Sequence, residues 1–164
     1  MSERHDDTSR GWLSRAMTVE PDWIDYNGHL NMAFYNVLFD RGVDDVFETL
    51  GLGPDYKAAT NHSTYVAEAH VRYVQELHEG DRVRVSFRVL DHDAKRIHSW
   101  QEIVHEGGWV AATSENMTLH VDLSGPKVAP FPDAVLERIE AMAKDHAGLP
   151  RPERAGQPVG IRRR

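Results

Sequence analysis

The chain contains no cysteine, which excludes disulfides, thiolate nucleophiles and cysteine-ligated zinc. No apolar run is long enough to span a membrane, and the start Met1-Ser2-Glu3-Arg4-His5-Asp6-Asp7 is charged rather than apolar, so a cytoplasmic setting is expected. Positive charge is scarce. With 19 Lys and Arg against 26 Asp and Glu, the formal charge is -7, which disfavours a general nucleic-acid or anionic-membrane binder. The exception is local, because Arg151, Arg154, Arg162, Arg163 and Arg164 make the C-terminal tail basic. There is no phosphate-binding glycine loop, since Gly51-Leu52-Gly53 lacks the later glycine and closes a helix instead of opening one. The 10 His residues form no His-x-x-x-His pair with a nearby carboxylate, so no metal is expected.

What is present fits one domain with tails. The 164 residues are 40% hydrophobic, without an internal repeat or a linker that would divide them. Residues 1–15 are polar and read as a flexible segment, 16–147 as the domain, and 148–164 as a Pro, Gly and Arg-rich tail outside the compact core. A first strand is expected at Ala16–Val19, stopped by Pro21. A helix follows from near Asn31, a good N-cap, with Phe39, Val43, Val46, Phe47 and Leu50 as its apolar stripe and Gly51 as its stop. Gly42 inside that helix suggests close backbone packing on strands. Beyond Gly53 the period changes to two. Strands are predicted at Thr64–Val74, around Val83, Val85, Phe87 and Val89, at Lys95–His105 and at Trp109–Val121, with a terminal helix at Phe131–Ala143. A long helix on a curled antiparallel sheet is an α+β architecture.

Between first strand and long helix, Asp25-Tyr26-Asn27-Gly28-His29-Leu30-Asn31 joins a carboxylate, a glycine turn and a helix start. An Asp, with an ordinary pKa of about 3.9, is ionised at neutral pH and can attack an acyl carbon or activate water toward it. The first amides of a helix are unpaired and lie at the positive end of its dipole, so the backbone N–H groups of Asn31 or Met32 could hold a developing oxyanion. Each residue also has a structural use. Asp25 suits a turn or cap, Asn31 an N-cap, His29 a brace to a neighbouring strand, and Tyr35 a core aromatic one turn into the helix.

From about Ala16 to Met142 the chain resembles hot-dog-fold acyl-CoA thioesterases of the 4-hydroxybenzoyl-CoA thioesterase-like group. Asp25, Gly28, His29, Asn31 and Tyr35 match that group's Asp-x-x-Gly-His-x-Asn pattern followed by an aromatic residue, and Val71-Arg72-Tyr73 and the Gly80-Asp81 turn agree with it. The longer phrase from Trp23 to Tyr35, continued by Phe39-Asp40-Arg41, is similar to the betainyl-CoA thioesterases of carnitine breakdown. The resemblance implies a single hot-dog domain, its long helix wrapped by a curled antiparallel sheet of about five strands, plus a C-terminal helix. It also implies hydrolysis of an acyl-CoA thioester without a cofactor, Asp25 being general base or nucleophile and Gly28, His29 and Tyr35 supporting it. The expected assembly is a homodimer or tetramer with active sites between subunits.

Coenzyme A carries phosphates, for which Arg72, Arg82, Arg84 and Arg88 on predicted strands are candidate partners, the simpler reading being a solvated basic face. A betaine acyl group would need aromatic faces and a carboxylate around its trimethylammonium. Trp23, Tyr26, Trp100 and Trp109, with Glu68 or Asp40, supply those residue types. Two other functions stay open: a non-catalytic acyl-CoA-binding or sensing module, and a hot-dog dehydratase or hydratase acting at the acyl α and β carbons.

Overall fold

The computed structural model describes residues 8–161 and 163. In chain order it contains β1 (Trp12–Leu13), β2 (Met17–Thr18), α1 (Met32–Leu50), α2 (Pro54–Thr60), β3 (His62–Tyr73), β4 (Arg82–His92), β5 (Arg96–His105), β6 (Val110–Asp122), β7 (Lys127–Val128) and α3 (Asp133–His146). The strands form one antiparallel sheet in the order β1-β4-β5-β6-β3, with β2 also on β4 and β7 also on β6.

The long helix forms as its ends dictate. The Asn31 side chain accepts the Ala33 N–H, and Gly51, at φ 81°, caps the other end by donating to Glu48 O and Phe47 O. Its buried stripe of Tyr35, Leu38, Phe39, Gly42, Val46, Phe47 and Leu50 lies on the sheet. Gly42 is required there, because a Cβ would overlap the Cβ and both methyls of Val85 on β4. Val83, Val85, Phe87 and Val89 therefore face α1, and α3 adds Val135 and Ile139 to the same side. The alternate residues Arg84, Ser86 and Arg88 point to the outer face, away from α1.

Three expectations need correction. The segment placed outside the domain contributes Trp12–Leu13, paired with Phe87 and Ser86, and Ser14, whose N–H donates to Val85 O while its hydroxyl accepts the Val85 N–H. A polar composition concealed an edge strand that is held by its backbone. The tail is docked as far as Gly156, with Pro150 O accepting from Arg88 and the Gly156 N–H donating to both carboxylate oxygens of Glu115, while Val159 and Ile161 are exposed. The short α2, started by Pro54 in its first turn, stands between α1 and β3, where no element was expected. Residues 1–7, and Arg162 and Arg164 of the basic tail, fall outside the described residues.

Burial disfavours the charged form of two histidines, His120 and His146. Nδ1 of His120 lies 2.9 Å from Ala129 O and its Nε2 lies 2.9 Å from the Tyr56 hydroxyl, while Nδ1 of His146 accepts the Val89 N–H. Burial pushes both pKa values below the ordinary histidine value, helped by the neighbouring His62 and Arg88 respectively. The unfolded chain then binds more protons than the folded one just below pH 6.5, so stability falls with acidification from there down through the lowered values. Urea unfolding is expected to give a lower midpoint at pH 5 than at pH 7.5, above the range where carboxylates titrate. His120→Gln should remove part of that slope.

Candidate active site

The Asp25 loop is built from its ends inward. A 3-10 turn at Pro21–Trp23 delivers the chain to Ile24, which forms an isolated bridge with Leu30. Inside that bridge the Asp25 N–H donates to His29 O at 3.1 Å and the Gly28 N–H to Asp25 O at 3.0 Å. Gly28 sits at φ 83°, a left-handed conformation that glycine adopts without strain. One carboxylate oxygen of Asp25, Oδ1, accepts the Asn27 N–H at 2.8 Å, so the structural use foreseen for Asp25 is real. Oδ2 has no partner among the described residues. The carboxylate is half-buried, held in direction by one oxygen and open to a reactant at the other.

The helix start places one free donor beside this loop. Asn31 is not that donor: its N–H is spent on Trp23 O at 3.0 Å, its side chain takes the Ala33 N–H, and its carbonyl takes the Phe34 N–H. The Met32 N–H donates to no group among the described residues, and Met32 is exposed. Of the two amides expected to form an oxyanion hole, the geometry leaves Met32. His29 is a brace, with Nδ1 3.3 Å from Leu30 O and Nε2 3.6 Å from Glu76 Oε1. Tyr35 is buried, and its hydroxyl binds the segment that follows β3.

The residues expected to form an acyl pocket do not converge. Trp23 is stacked on Phe34 at 5.6 Å and carries the Arg41 guanidinium 5.0 Å from its ring centroid. Phe34 and Arg41 are two turns apart on α1, about 10.5 Å of helix rise, so the indole lies between them and both faces are covered. Tyr26 is 97% exposed. Trp100 pairs with Arg88 and donates its Nε1–H to Glu102, and Glu68 pairs with Met117, which places both on the outer face, across the sheet from α1. Trp109 stacks on His105 at 4.4 Å. Asp40 is exposed on α1 two turns beyond Met32, about 12 Å along the axis, too far for a short acyl group whose carbonyl is held at the helix start.

The arginines divide in the same way. Arg84 donates to Ser14 O and the buried Arg88 to Pro150 O, so both hold the chain's own ends to the sheet, while Arg72 is half-buried on the outer face and Arg82 is exposed. A cavity of about 300 Å³ opens on that outer face among Glu68, His70, His98, Glu115 and Gln157. It lies on the wrong side of the sheet for Asp25. Among the described residues no group of three or more His, Asp or Glu could hold a metal ion, and no helix is long and apolar enough to cross a membrane.

Comparison with known proteins gives this junction a family. Over 144 residues the chain is 42% identical to the betainyl-CoA thioesterase of Pseudomonas aeruginosa, covering 87% of this chain and 91% of that one. It is 37% identical over 147 residues to the L-carnitine dehydrogenase/betainyl-CoA thioesterase of Rhizobium meliloti, of which the match spans 29%. A Staphylococcus aureus protein solved in complex with CoA superimposes with a TM-score of 0.86 at 27% identity, over 93% of this chain and 97% of that one. The α+β hot-dog architecture expected from the sequence is the observed one. Since residues 19–139, from the end of β2 into α3, match the model of the Thioesterase-like superfamily, the chain belongs to that family.

Proposed function

We propose that the protein is an acyl-CoA thioesterase whose substrate is betainyl-CoA, cleaved to betaine and CoA. The observation that carries the chemistry is the junction itself, where Asp25 keeps one carboxylate oxygen open and Met32 one amide unpaired. A thioester carbonyl is electrophilic and thiolate leaves readily, so the demand on the protein is to deliver a nucleophile and hold the oxyanion. Asp25 either attacks the carbonyl carbon, giving a mixed anhydride that water then hydrolyses to betaine and the free carboxylate, or takes a proton from a water that attacks the carbonyl carbon directly. The tetrahedral oxyanion accepts a hydrogen bond from Met32, and its collapse breaks the C–S bond and releases CoA thiolate, which is then protonated. This route uses no cofactor. The betainyl group comes from the likeness to the Pseudomonas aeruginosa enzyme, and the L-carnitine dehydrogenase named in the Rhizobium meliloti relative suggests a place in carnitine breakdown.

The reading includes a homodimer as the minimum assembly. Strand β3 is the last of the sheet, 12 residues long, and has Tyr65, Val66 and Tyr73 exposed along an edge unpaired among the described residues. A second copy on that edge would supply the walls of the acyl pocket that one chain lacks, and would continue the sheet. A cytoplasmic setting suits a chain without cysteine.

Release of free thiol from betainyl-, medium-chain and aromatic CoA esters tests the activity, with betainyl-CoA expected to react fastest. Binding without thiol release would favour the sensing module, and an enoyl product without thiol the dehydratase. Sedimentation is expected to give at least twice the 18.6 kDa chain mass, and Val66→Lys should lower both mass and turnover. A fully active monomer would sink the shared-site reading.

A further inference from the structure

Asp25 and the Met32 amide are useful together only if loop and helix keep a fixed relation, and one buried hydroxyl is a link in the circuit that holds them. Tyr35, 4% exposed in the first turn of α1, has its hydroxyl 3.2 Å from the Leu77 nitrogen and 3.4 Å from Gln75 O. It accepts the Leu77 N–H and donates to the Gln75 carbonyl. Residues 74–77 have just left the sheet, where Val74 and Gln75 both donate to Ala111 O. Leu77, fully buried, returns its own carbonyl to the Leu30 N–H at 2.7 Å. Leu30 is bridged to Ile24 across the loop that holds Asp25, and Glu76, between the two residues Tyr35 grips, lies against His29. The circuit closes where Asn31 donates to Trp23 O at the helix start.

We infer that Tyr35 is a positioning residue for the proposed thioesterase site, its hydroxyl fixing the exit of β3 and through Leu77 and Leu30 the Asp25 loop relative to the Met32 amide. Deepening the reading above, this makes the motif's aromatic residue a strut that supports the site through its hydroxyl. Burial raises the Tyr35 pKa above the ordinary phenol value, so the hydroxyl keeps its proton throughout the working range. Its ring is further fixed edge-on against Tyr73 at 5.2 Å.

Tyr35→Phe keeps the ring and its packing while leaving the buried Leu77 N–H without an acceptor. A misplacement of about an ångström costs on the order of a hundredfold in rate, so kcat is expected to fall about 10–100-fold with KM within about threefold. The pH profile should keep its shape, and amide exchange at Leu30 and Leu77 should quicken while Val85 stays protected. Ile139→Val, in the other core cluster, supplies the control: it should lower Tm without changing kcat. If Tyr35→Phe loses no more kcat than Ile139→Val, or if a limb of the pH profile vanishes because the phenol itself transfers a proton, the strut is overturned. Should the wild-type protein release no thiol from any ester, the functional proposal fails separately, and exchange at Leu30 and Leu77 still decides whether the strut exists.

Discussion

Asp25→Asn is expected to lower thiol release by about 10²–10⁴-fold, the range attributed to a positioned general base, while leaving the fold unchanged. The substitution is unusually clean because of the local geometry. The Asn27 N–H needs an oxygen from residue 25, and an amide oxygen at the same place supplies it, so the turn survives. No ion pair to Asp25 is present among the described residues, so none is lost, and the change in stability should stay within about 0.5 kcal/mol. What disappears is the charge and the basicity of the open oxygen. An amide neither attacks a thioester nor deprotonates water, so neither form of the mechanism survives. Thiol release with a colorimetric reagent, run beside urea unfolding of both proteins, checks the two halves of this expectation. Full turnover by a stably folded variant would leave Asp25 with its turn and nothing else.

Much of this junction is legible in the sequence, and the illegible part has a physical cause. The ends of α1 follow from Asn31 and Gly51, whose capping chemistry is local, and Gly42 reports the approach of Val85 before any strand is placed. Asp25 and Gly28 are likewise local, since a carboxylate and a positive-φ glycine within one turn interact with their own neighbours. Long-range placement is different. Trp100 and Glu68 are right in kind for a cation pocket, but the face each takes depends on register against Arg88 and Met117, which spacing within one strand leaves undetermined. Arg84 and Arg88 of β4 read as part of a solvated stripe because the carbonyls they bind come from Ser14 and Pro150, far away in sequence. Asn31 shows the subtlest limit: its amide looks free at a helix start, and only the return of Trp23 O removes it.

The second large effect separates a cationic acyl group from its neutral shape. Betainyl-CoA and 3,3-dimethylbutanoyl-CoA differ by a quaternary nitrogen in place of a quaternary carbon, with nearly equal volume. In betaine that nitrogen is two bonds from the reacting carbonyl carbon, about 2.5 Å by ordinary bond geometry. Any carboxylate close enough to act on the carbonyl is therefore close to the positive charge. At about 5 Å and an effective dielectric of about 20, the attraction is about 3 kcal/mol, reduced by the partial exposure of Asp25. No aromatic cage is needed for a preference of this size, which matters because Trp23 is already enclosed by Phe34 and Arg41. The ammonium also makes the ester intrinsically more reactive, so each kcat/KM is divided by the rate of hydroxide-catalysed hydrolysis of the same ester. After that correction the cationic ester is expected to be preferred by about 10–100-fold, a ratio corresponding to about 1.4–2.8 kcal/mol. Equal corrected values would mean that the site reads only size, and the substrate would then have to be sought among neutral short acyl groups.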